Sequence, residues 1–570
     1  MRILTLLLAG APTLLAAQGV PQGISPPSQT LPLEVQREVV DRWNGTNALR
    51  AKNQLGVGAG HDVMGNVAVQ NGPLTIAGHV TGSVLAINSD VILQPTARID
   101  GELLVVGGEV DRPAGARVDG GTRIFRARML YSENGDEIVA VGDDQSPEES
   151  WWRRFEHGPL DTRGEALRVV QAGPYNRVEG LPIELGPVVQ QRTSWGNVRV
   201  DAAAVIRTAS TFNSNDGDVG DKLRGEVRFG HDRGIGIGVK GMSVVQPVED
   251  WQLSDIEVAL AAFLARRDYR DYYQRKGGDA FVTLYGARNI NLTGSYGEDR
   301  WSSRTAHNPF TLFNEGSPWR DNPSVDEGLF HVAKLTFTLD TRSDPDDPSA
   351  GWFVNTNVEN GRGDVTSMAP MSAPRLDLTG GVTDYTRGFF DFRRYNRLGP
   401  AAQLNMRVVL GGWLGGDPLP SERRLSVGGP GTLPGFGFRT DDNGPDIGTC
   451  SMGQPVLGQP AECERIALAQ LEYRGDLSFD FTSNWTGWPR RYHSAHGDVQ
   501  WVFFADAGRG WNVGPADGVM TFNSATLPSL STFRSDLGLG LDFAGIGIYA
   551  AKAVSRPEPV TFFVRLRHRF

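Results

Sequence analysis

Long stretches in the C-terminal part of the chain alternate between apolar and polar residues. One such stretch has its apolar positions at Ala333, Leu335, Phe337 and Leu339. Because successive side chains of a β-strand point to opposite faces, a period of two predicts a strand with one apolar and one polar face. The same alternation returns at 403–410, 465–474 and 560–569, although Ile466 and Leu468 blur the polar face of the second of these stretches. The pattern therefore predicts an all-β region whose sheet has two unlike faces.

The length of this region is typical of a membrane-spanning barrel. Strands that cross an outer membrane need about 9 to 11 residues, and sixteen of them with turns would occupy roughly 400 residues. Residues 179–570 have a comparable length, and charged side chains along the polar face suit a water-filled lumen. Backbone groups in lipid must all be paired, which favours a barrel. We predict a transmembrane antiparallel β-barrel of about 14 to 16 strands, with 16 preferred, in residues 179–570.

The N-terminus carries the pattern of a secretory signal. Arg2 precedes an apolar stretch, and small residues follow it as far as Ala17. This pattern predicts a signal peptide at 1–17 and export. No later apolar run approaches the roughly 20 residues of a membrane helix, so we expect an outer-membrane barrel and not a helical membrane protein. Phe570 agrees with this, because barrel precursors commonly end in an aromatic residue that serves as an insertion signal.

Residues 56–145 contain a short repeat. Gly82, Gly101 and Gly120 recur at intervals of 19 residues, each followed by a short apolar run, and Gly65 starts an earlier version of 17 residues. Units this short bury an apolar face only by stacking, which predicts a small β-helix-like domain of parallel strands. A pair of ordinary hairpins is the alternative. We expect this domain to lie in the periplasm.

Two connecting segments flank the repeat. Residues 18–55 are interpreted as a linker with one short helix, and residues 146–178 as a linker helix followed by the entry to the barrel. The chain has only two cysteines, Cys450 and Cys463, in a Gly- and Pro-rich segment. In an exported protein they predict a disulfide, which would contribute roughly 3 kcal/mol for so short a loop. Two free thiols remain the alternative.

Composition and motifs give no indication of an enzyme or of nucleic-acid binding. The net charge of -10 leaves no basic surface for nucleic acid. Residues 236–241 satisfy GxGxxG, but no helix follows, so they are interpreted as a barrel strand. Asp216, Asp218 and Asp221 are interpreted as a solvated loop in preference to a calcium site. We predict no catalytic residue, no cofactor and no metal.

Four segments resemble the BamA/TamA-type surface-antigen barrels. Residues 339–352 are similar to the "DTR…P…G" signature, 427–436 to the "GG…LRGF" loop, 471–474 to the "EYR" strand and 503–508 to the "FFDAG" strand. The four occur in the order of that family. The resemblance implies a role in outer-membrane biogenesis or in the insertion or translocation of polypeptide.

The resemblance also gives candidate residues. Asp340 and Arg342 are two positions apart, so they share one face of a strand, where a lumen-facing pair can form. Loop glycines permit a tight fold close to the barrel wall. Our candidates for the lumen and the loop are Asp340, Arg342, Gly428, Gly429, Gly435, Phe436, Arg439, Glu472, Arg474, Asp506 and Gly508. Arg439 is included because the family loop carries an arginine that docks on the lumen wall, and that place is taken by Pro434.

A second functional hypothesis follows from the N-terminal half. The assembly and translocation members of the family carry POTRA repeats, and no such repeat is visible in this sequence. Residues 76–84, and the repeat of their pattern around Gly101, resemble instead the polymer-forming bactofilin-like domain. The alternative is therefore a passive transport channel, or an envelope-organising protein whose β-helix module binds a periplasmic protein or the cell wall. In either case the expected partners include outer-membrane lipid and, during biogenesis, the barrel assembly machinery.

Overall fold

The computed structural model describes most of the chain from residue 31 onward. The described residues are 31–140, without 32, 46–47, 53, 127, 130 and 135–136, and 170–570, without 210–218, 231–232, 287–289, 344–347, 370–380, 400–401, 439–462, 478–498, 514–526, 544 and 567. The predicted signal peptide and the predicted helix at 146–158 lie outside them. The chain divides into two compact units, Met1–Gly142 with Ser343–Pro345, and Asp143–Arg342 with Asp346–Phe570.

The first unit is a helix followed by a solenoid of short parallel strands. Helix α1 covers Leu33–Asn44. The strands are β1 (Ala48–Lys52), β2 (Leu55–Val57), β3 (Asp62–Val63), β4 (Asn66–Gln70), β5 (Leu74–Ile76), β6 (His79–Val80), β7 (Val84–Ile87), β8 (Val91–Leu93), β9 (Arg98–Ile99), β10 (Leu103–Val106), β11 (Val110–Asp111), β12 (Arg117–Val118), β13 (Thr122–Phe125), β14 (Tyr131–Asn134) and β15 (Glu137–Ala140). Three sheets have the orders β1-β4-β7-β10-β13, β11-β8-β5-β2 and β12-β9-β6-β3, and β14 and β15 form an antiparallel pair.

The sequence repeat sets the register of this solenoid. Val84 lies beside Leu103, and Leu103 lies beside Thr122, so that each strand pairs with the strand one 19-residue repeat away. Val67 pairs with Val84 across the shorter repeat. The predicted β-helix is confirmed, and the alternative of two hairpins is wrong for the repeat.

Helix α1 explains why the runs of β7 and β10 are apolar at every position. Val84 and Leu103 face the solenoid interior, whereas Leu85 and Leu104 face the opposite side and pack with Trp43 of α1. A strand that is buried on both faces has a continuous apolar run instead of an alternating one. The helix and β1 thus belong to the solenoid unit, where the sequence suggested a linker as far as residue 55. The polar sequence of β1 gave no strand signal, and its pairing with β4 defines it.

The second unit is built on one large antiparallel sheet. Its strands are β16 (Val170–Ala172), β17 (Pro182–Leu185), β18 (Val188–Thr193), β19 (Gly196–Arg207), β20 (Val219–Phe229), β21 (Gly234–Pro247), β22 (Tyr272–Tyr285), β23 (Ile290–Ser303), β24 (Glu327–Asp340), β25 (Gly351–Ser367), β26 (Val382–Gly399), β27 (Ala402–Gly416), β28 (Arg465–Leu477), β29 (Val499–Trp511), β30 (Arg534–Phe543), β31 (Ile546–Ala553) and β32 (Thr561–Leu566). The sheet begins at β16, earlier than the predicted boundary at residue 179, because β16 pairs with β17.

Two of these segments form one strand, which brings the sheet to the predicted 16 strands. Both β17 and β18 pair with β19, and Leu185 opposite Ala204 keeps the same register as Val188 opposite Asp201. Gly186 and Pro187 interrupt the pairing between them because proline has no backbone N–H to donate. The described part of the unit is therefore a 16-strand antiparallel sheet, as predicted.

The two faces of the sheet differ as the alternation indicates. Leu335, Leu471 and Leu539 point outward and are exposed, whereas Glu472 and Arg474 on the other face are buried. Among the described residues, the two end strands β16 and β32 are not paired with each other. The sheet thus carries its apolar side chains outside and its charged side chains inside.

A second helix, α2 (Asp255–Ala265), lies in the connection between β21 and β22. Ser254 caps it, since its hydroxyl accepts from the backbone N–H of Glu257 while the Glu257 carboxylate accepts from the backbone N–H of Ser254. Single 3₁₀ turns occur at Ser421–Arg423 and Leu530–Thr532. Neither α1 nor α2 has the length and apolar character needed to cross a membrane.

Candidate functional site

The connection between β27 and β28 folds onto the inner face of the sheet. Its described part, 417–438, includes the buried apolar side chains of Leu425, Val427, Leu433 and Phe436. They pack in one cluster with Val409, Ile466 and Leu468 of the wall. Ile466 and Leu468 interrupt the polar face of β28 because they form the apolar surface on which the loop packs.

Glycines allow the loop to come this close to the wall. Gly428 and Gly429 have φ angles of +120° and +91°, a region that L side chains rarely adopt. A Cβ atom on Gly435 would lie 2.6 Å from the Cβ atom of Asp536 and 2.7 Å from the backbone nitrogen of Ala553. Any larger residue at 435 therefore displaces either the loop or the wall.

At the position where the family loop has an arginine, this loop contacts the wall through its backbone. The N–H of Gly435, directly after Pro434, donates to Asp536 Oδ2 at 2.6 Å. Asp536 lies opposite Asp506 in the sheet, and Asp506 accepts from the guanidinium of Arg569. The two wall carboxylates are thus bound by a backbone N–H and by Arg569. Arg439, the predicted substitute, lies outside the described residues.

One docking residue of the loop was missed by the sequence analysis. Arg423, in the 3₁₀ turn before the glycines, is buried, and its Nε lies 2.7 Å from Glu359 Oε1. Its Nη1 donates to the Tyr273 hydroxyl at 3.0 Å, and its guanidinium carbon lies 4.0 Å from the centre of the Trp301 ring. Arg423 therefore holds the loop to the wall by an ion pair and a cation–π contact. No local motif marks it, because its role depends on strands far away in the sequence.

Ion pairs that are buried or partly buried lie along the wall. Arg474 lies against Glu472 on the same strand and donates from Nη1 to Asp542 Oδ2 at 3.0 Å. Arg342 Nη2 lies 2.6 Å from Asp340 Oδ2, so these two candidates are neighbours. Buried charges tolerate the loss of water only when they are paired and hydrogen-bonded. The inner face is consequently a fixed arrangement of charges.

The remaining candidates lie at the edges of this site. Gly508 lies below the loop, where an added Cβ would be 3.0 Å from Leu468 Cδ1. Phe570 accepts at its carbonyl from the Tyr395 hydroxyl at 2.9 Å, and the last strand ends before it, at Leu566. Cys463 is buried and disulfide-bonded, and it exchanges two backbone hydrogen bonds with Leu425. Cys450, the only other cysteine of the chain, lies outside the described residues.

The chemistry of the site is that of binding and positioning. Its carboxylates are engaged by arginines or by backbone N–H groups, and the loop contributes apolar side chains and backbone groups. The part of the chain that the structure describes contains no group of three or more His, Cys, Asp or Glu residues suited to a metal ion. Asp216 and Asp218 of the acidic segment lie outside that part, and Asp221 belongs to β20.

Comparison with known proteins finds a family match within the second unit. The Omp85 superfamily domain matches residues 331–545, which include the loop and the strands with the predicted motifs. No curated protein sequence matches the chain. The predicted resemblance is confirmed at the level of the superfamily, and with it the outer membrane as the location.

The similarity to solved structures is weak. BamA from Haemophilus ducreyi, in a form lacking POTRA domains 1–3, is 14% identical, with 72% of this chain and 76% of that chain covered and a TM-score of 0.40. CdiB from Acinetobacter baumannii is 9% identical, with 71% and 59% covered and a TM-score of 0.28. The siderophore receptor PirA from Pseudomonas aeruginosa is 9% identical, with 79% and 70% covered and a TM-score of 0.28.

Proposed function

We propose, from the Omp85 superfamily domain of the barrel, that this protein inserts or translocates polypeptide during outer-membrane biogenesis. The observation that carries the proposal is the seam between the two ends of the sheet. Among the described residues, β16 and β32 pair only with their inner neighbours β17 and β31. An end strand with a free edge offers a row of N–H and C=O groups to which another strand can add.

Such a seam suits a polypeptide substrate on physical grounds. Unpaired backbone groups within lipid are costly, so a strand that arrives at the edge lowers the free energy by pairing with it. The described strands at the seam are short, Val170–Ala172 and Thr561–Leu566. A long, fully paired seam would resist opening.

The position of the loop favours polypeptide handling over a passive channel. A steady open pore requires a clear lumen, whereas the segment 417–438 is packed against the inner wall through Leu433, Phe436 and Arg423. Because these contacts are buried, the loop is held in place.

Depletion of the protein tests the proposal. We expect the amounts of other outer-membrane barrels to fall, and re-expression of the wild-type chain to restore them. Outer-membrane lipoproteins, which do not insert as barrels, serve as the control for general envelope damage. Unchanged barrel levels, or an equal loss of barrels and lipoproteins, would contradict the proposal.

A second candidate function rests on the solenoid. His79, Arg98 and Arg117 stack in register on β6, β9 and β12, and the two arginines are exposed. Parallel stacking repeats a guanidinium on successive turns, with Asp100 and Asp119 beside the two arginines. Such a ladder can exchange these partners for the anionic groups of an acidic polymer such as the cell wall, or of a periplasmic protein. On this hypothesis the solenoid anchors the barrel in the envelope.

Binding to isolated cell-wall sacculi tests this candidate. The full chain in detergent should sediment with sacculi, and Arg98→Ala with Arg117→Ala should reduce the bound fraction severalfold. The matched control is Met64→Ala, which changes an exposed residue of the same unit without changing its charge. Equal binding by all three proteins would exclude the arginine ladder as the contact.

A further inference from the structure

Helix α2 reaches from one end of the sheet to the other. At its N-terminal end, the Glu257 carboxylate accepts from the backbone N–H of Leu566 on β32 at 2.9 Å and pairs with the side chain of Arg565. At its C-terminal end, the Phe263 ring stands edge-on to Tyr175, in the segment after β16, with the ring centres 5.4 Å apart. The helix thus contacts both ends of the sheet, which are not paired with each other in the described residues.

The N–H that Glu257 receives belongs to an end strand. β32 pairs with β31 on one side only, so its other edge must find partners elsewhere. The Glu257 carboxylate is one such hydrogen-bond partner. The same residue also forms the capping box of α2 with Ser254. The helix is therefore attached to the edge of the sheet by the same carboxylate that fixes its first turn.

A helix can border lipid at a place where an extended segment cannot. Its backbone groups are satisfied internally, apart from those at its ends. Here the C-terminal end is also satisfied, since the carbonyls of Phe263 and Leu264 accept from the backbone N–H groups of Leu312 and Phe313 at 2.9 and 3.0 Å. The helix can consequently border the seam at Leu566 without leaving its own end groups unpaired in an apolar medium.

The exposed side of α2 is apolar. Ile256, Leu260 and Leu264 follow one another at intervals of four residues and are 45%, 37% and 37% exposed. The opposite side, with Val258 and Ala262, is buried. Residues four apart lie on the same face of a helix, so these side chains form one stripe. The connection that binds the end of the helix extends it with exposed apolar residues, namely Phe310, Leu312 and Phe313.

We propose that this stripe contacts the acyl chains of the outer membrane, so that α2 forms part of the lipid-facing wall at the seam. Phe562 and Val564 on the outer face of β32 are exposed, and the helix is attached to the same strand at Arg565 and Leu566. The only charged residues of the helix, Asp255 and Glu257, lie at its start, and Glu257 is turned to β32. Exposed apolar surface of this kind marks sites of contact with a membrane or a partner. The inference does not depend on the proposed insertion activity, because it concerns only where the helix lies.

Spin labelling of the full-length protein in phosphatidylcholine vesicles tests the contact. A nitroxide is attached at Leu260→Cys, and its collision rates are measured with oxygen, which concentrates in lipid, and with a water-soluble nickel chelate. The positive control is Val564→Cys on the outer face of β32, and the aqueous control is Met64→Cys on the solenoid. We expect an oxygen-to-nickel ratio at residue 260 close to that at residue 564 and severalfold above that at residue 64.

Each other outcome overturns the proposal. A ratio like that at residue 64 would place the stripe in water. A label that neither reagent reaches would place it against protein, either a second copy or another segment. If Leu260→Cys does not fold, Ile256→Cys and Leu264→Cys report on the same stripe, one turn to either side.

Discussion

The solenoid and the barrel bury opposite kinds of side chain. In the solenoid, aliphatic residues such as Leu103 and Val105 fill the interior, and arginines such as Arg98 and Arg117 lie outside. In the barrel, leucines point outward, and paired charges such as Glu472 and Arg474 lie inside. One chain therefore contains two sheets with inverted polarity.

The difference shows that the surrounding medium determines which side chains a β-sheet must bury. In water, the solenoid is stabilised by removing apolar surface, at about 25 cal/mol per Å². In lipid, the outer apolar surface of the barrel already has suitable neighbours, so the charged groups are the ones that must be sequestered and paired. The same residue change should accordingly have different consequences in the two units.

The largest effect is expected from Arg474→Met in the barrel wall. The change leaves Glu472 and Asp542 without their shared cation in a buried position. Loss of one partner of a buried ion pair destabilises by about 3–5 kcal/mol. The free energy of unfolding in urea, followed by circular dichroism in phospholipid vesicles, measures it.

A neutral triple variant is the control for this change. Arg474→Met combined with Glu472→Gln and Asp542→Asn removes all three charges at once. Because no unpaired charge then remains, most of the stability should return. A triple variant as unstable as the single one would show that packing of the arginine, and not its charge, stabilises the wall.

A somewhat smaller effect is expected from Leu103→Ala in the solenoid. Leu103 is fully buried between Val84 and Thr122, so the change opens a cavity that costs about 3 kcal/mol. The matched change in the barrel, Leu539→Ala, should cost less, because lipid chains can fill the space left on the outer surface. Hydrogen exchange of β10 and of β30 compares the two, and equal losses would refute the contrast between the units.

A third prediction concerns the contact of the loop with the wall. Gly435→Ala places a methyl group against Asp536 and the backbone of Ala553 and should destabilise the seated loop by about 1–3 kcal/mol. Gly415→Ala is the control, since an added Cβ there meets nothing within 4 Å. In planar bilayers we expect higher conductance for the first variant only. Equal conductance of both variants would mean that the loop does not obstruct the lumen.

The regular parts of both units could be predicted from the sequence. The 19-residue repeat fixes the register of Val84, Leu103 and Thr122, because identical spacing brings each apolar run over the next. The alternation around Leu335 identifies the outward face because the period of a strand is two. In both cases the information is local and is repeated many times.

The parts that could not be predicted depend on contacts between distant segments. Arg423 reaches Glu359 and Trp301, and α2 reaches β32, but nothing near these residues in the sequence indicates those partners. One signal was present. Ile466 and Leu468 broke the polar face of their strand, and the structure explains them as the seat of the loop. An apolar residue on a charged face is therefore an indication of an inserted segment.

A further effect is expected from the pH dependence of the loop at Glu422, and it also contrasts the two units. Burial and the neighbouring carboxylate of Asp326 raise the pKa of Glu422 to about 8, against the opposing charge of Arg423. In the unfolded chain the group has its ordinary pKa of 4.5. Between these two pH values, Glu422 is therefore protonated in the folded loop and ionised in the unfolded chain. The stability of the folded loop should consequently fall as pH rises from about 4.5 to 8.

Limited proteolysis of the segment 417–438 at pH 6 and pH 9 measures this change, with faster cleavage expected at pH 9. Glu422→Gln imitates the neutral acid and should make the two rates equal after correction for the protease. In the solenoid, by contrast, a hydrogen bond from His79 lowers the pKa of the exposed Asp100, so its contribution is lost only as pH falls below the ordinary value. Cleavage of wild-type protein that is independent of pH would mean that Glu422 is ionised in place and that the loop tolerates a buried negative charge.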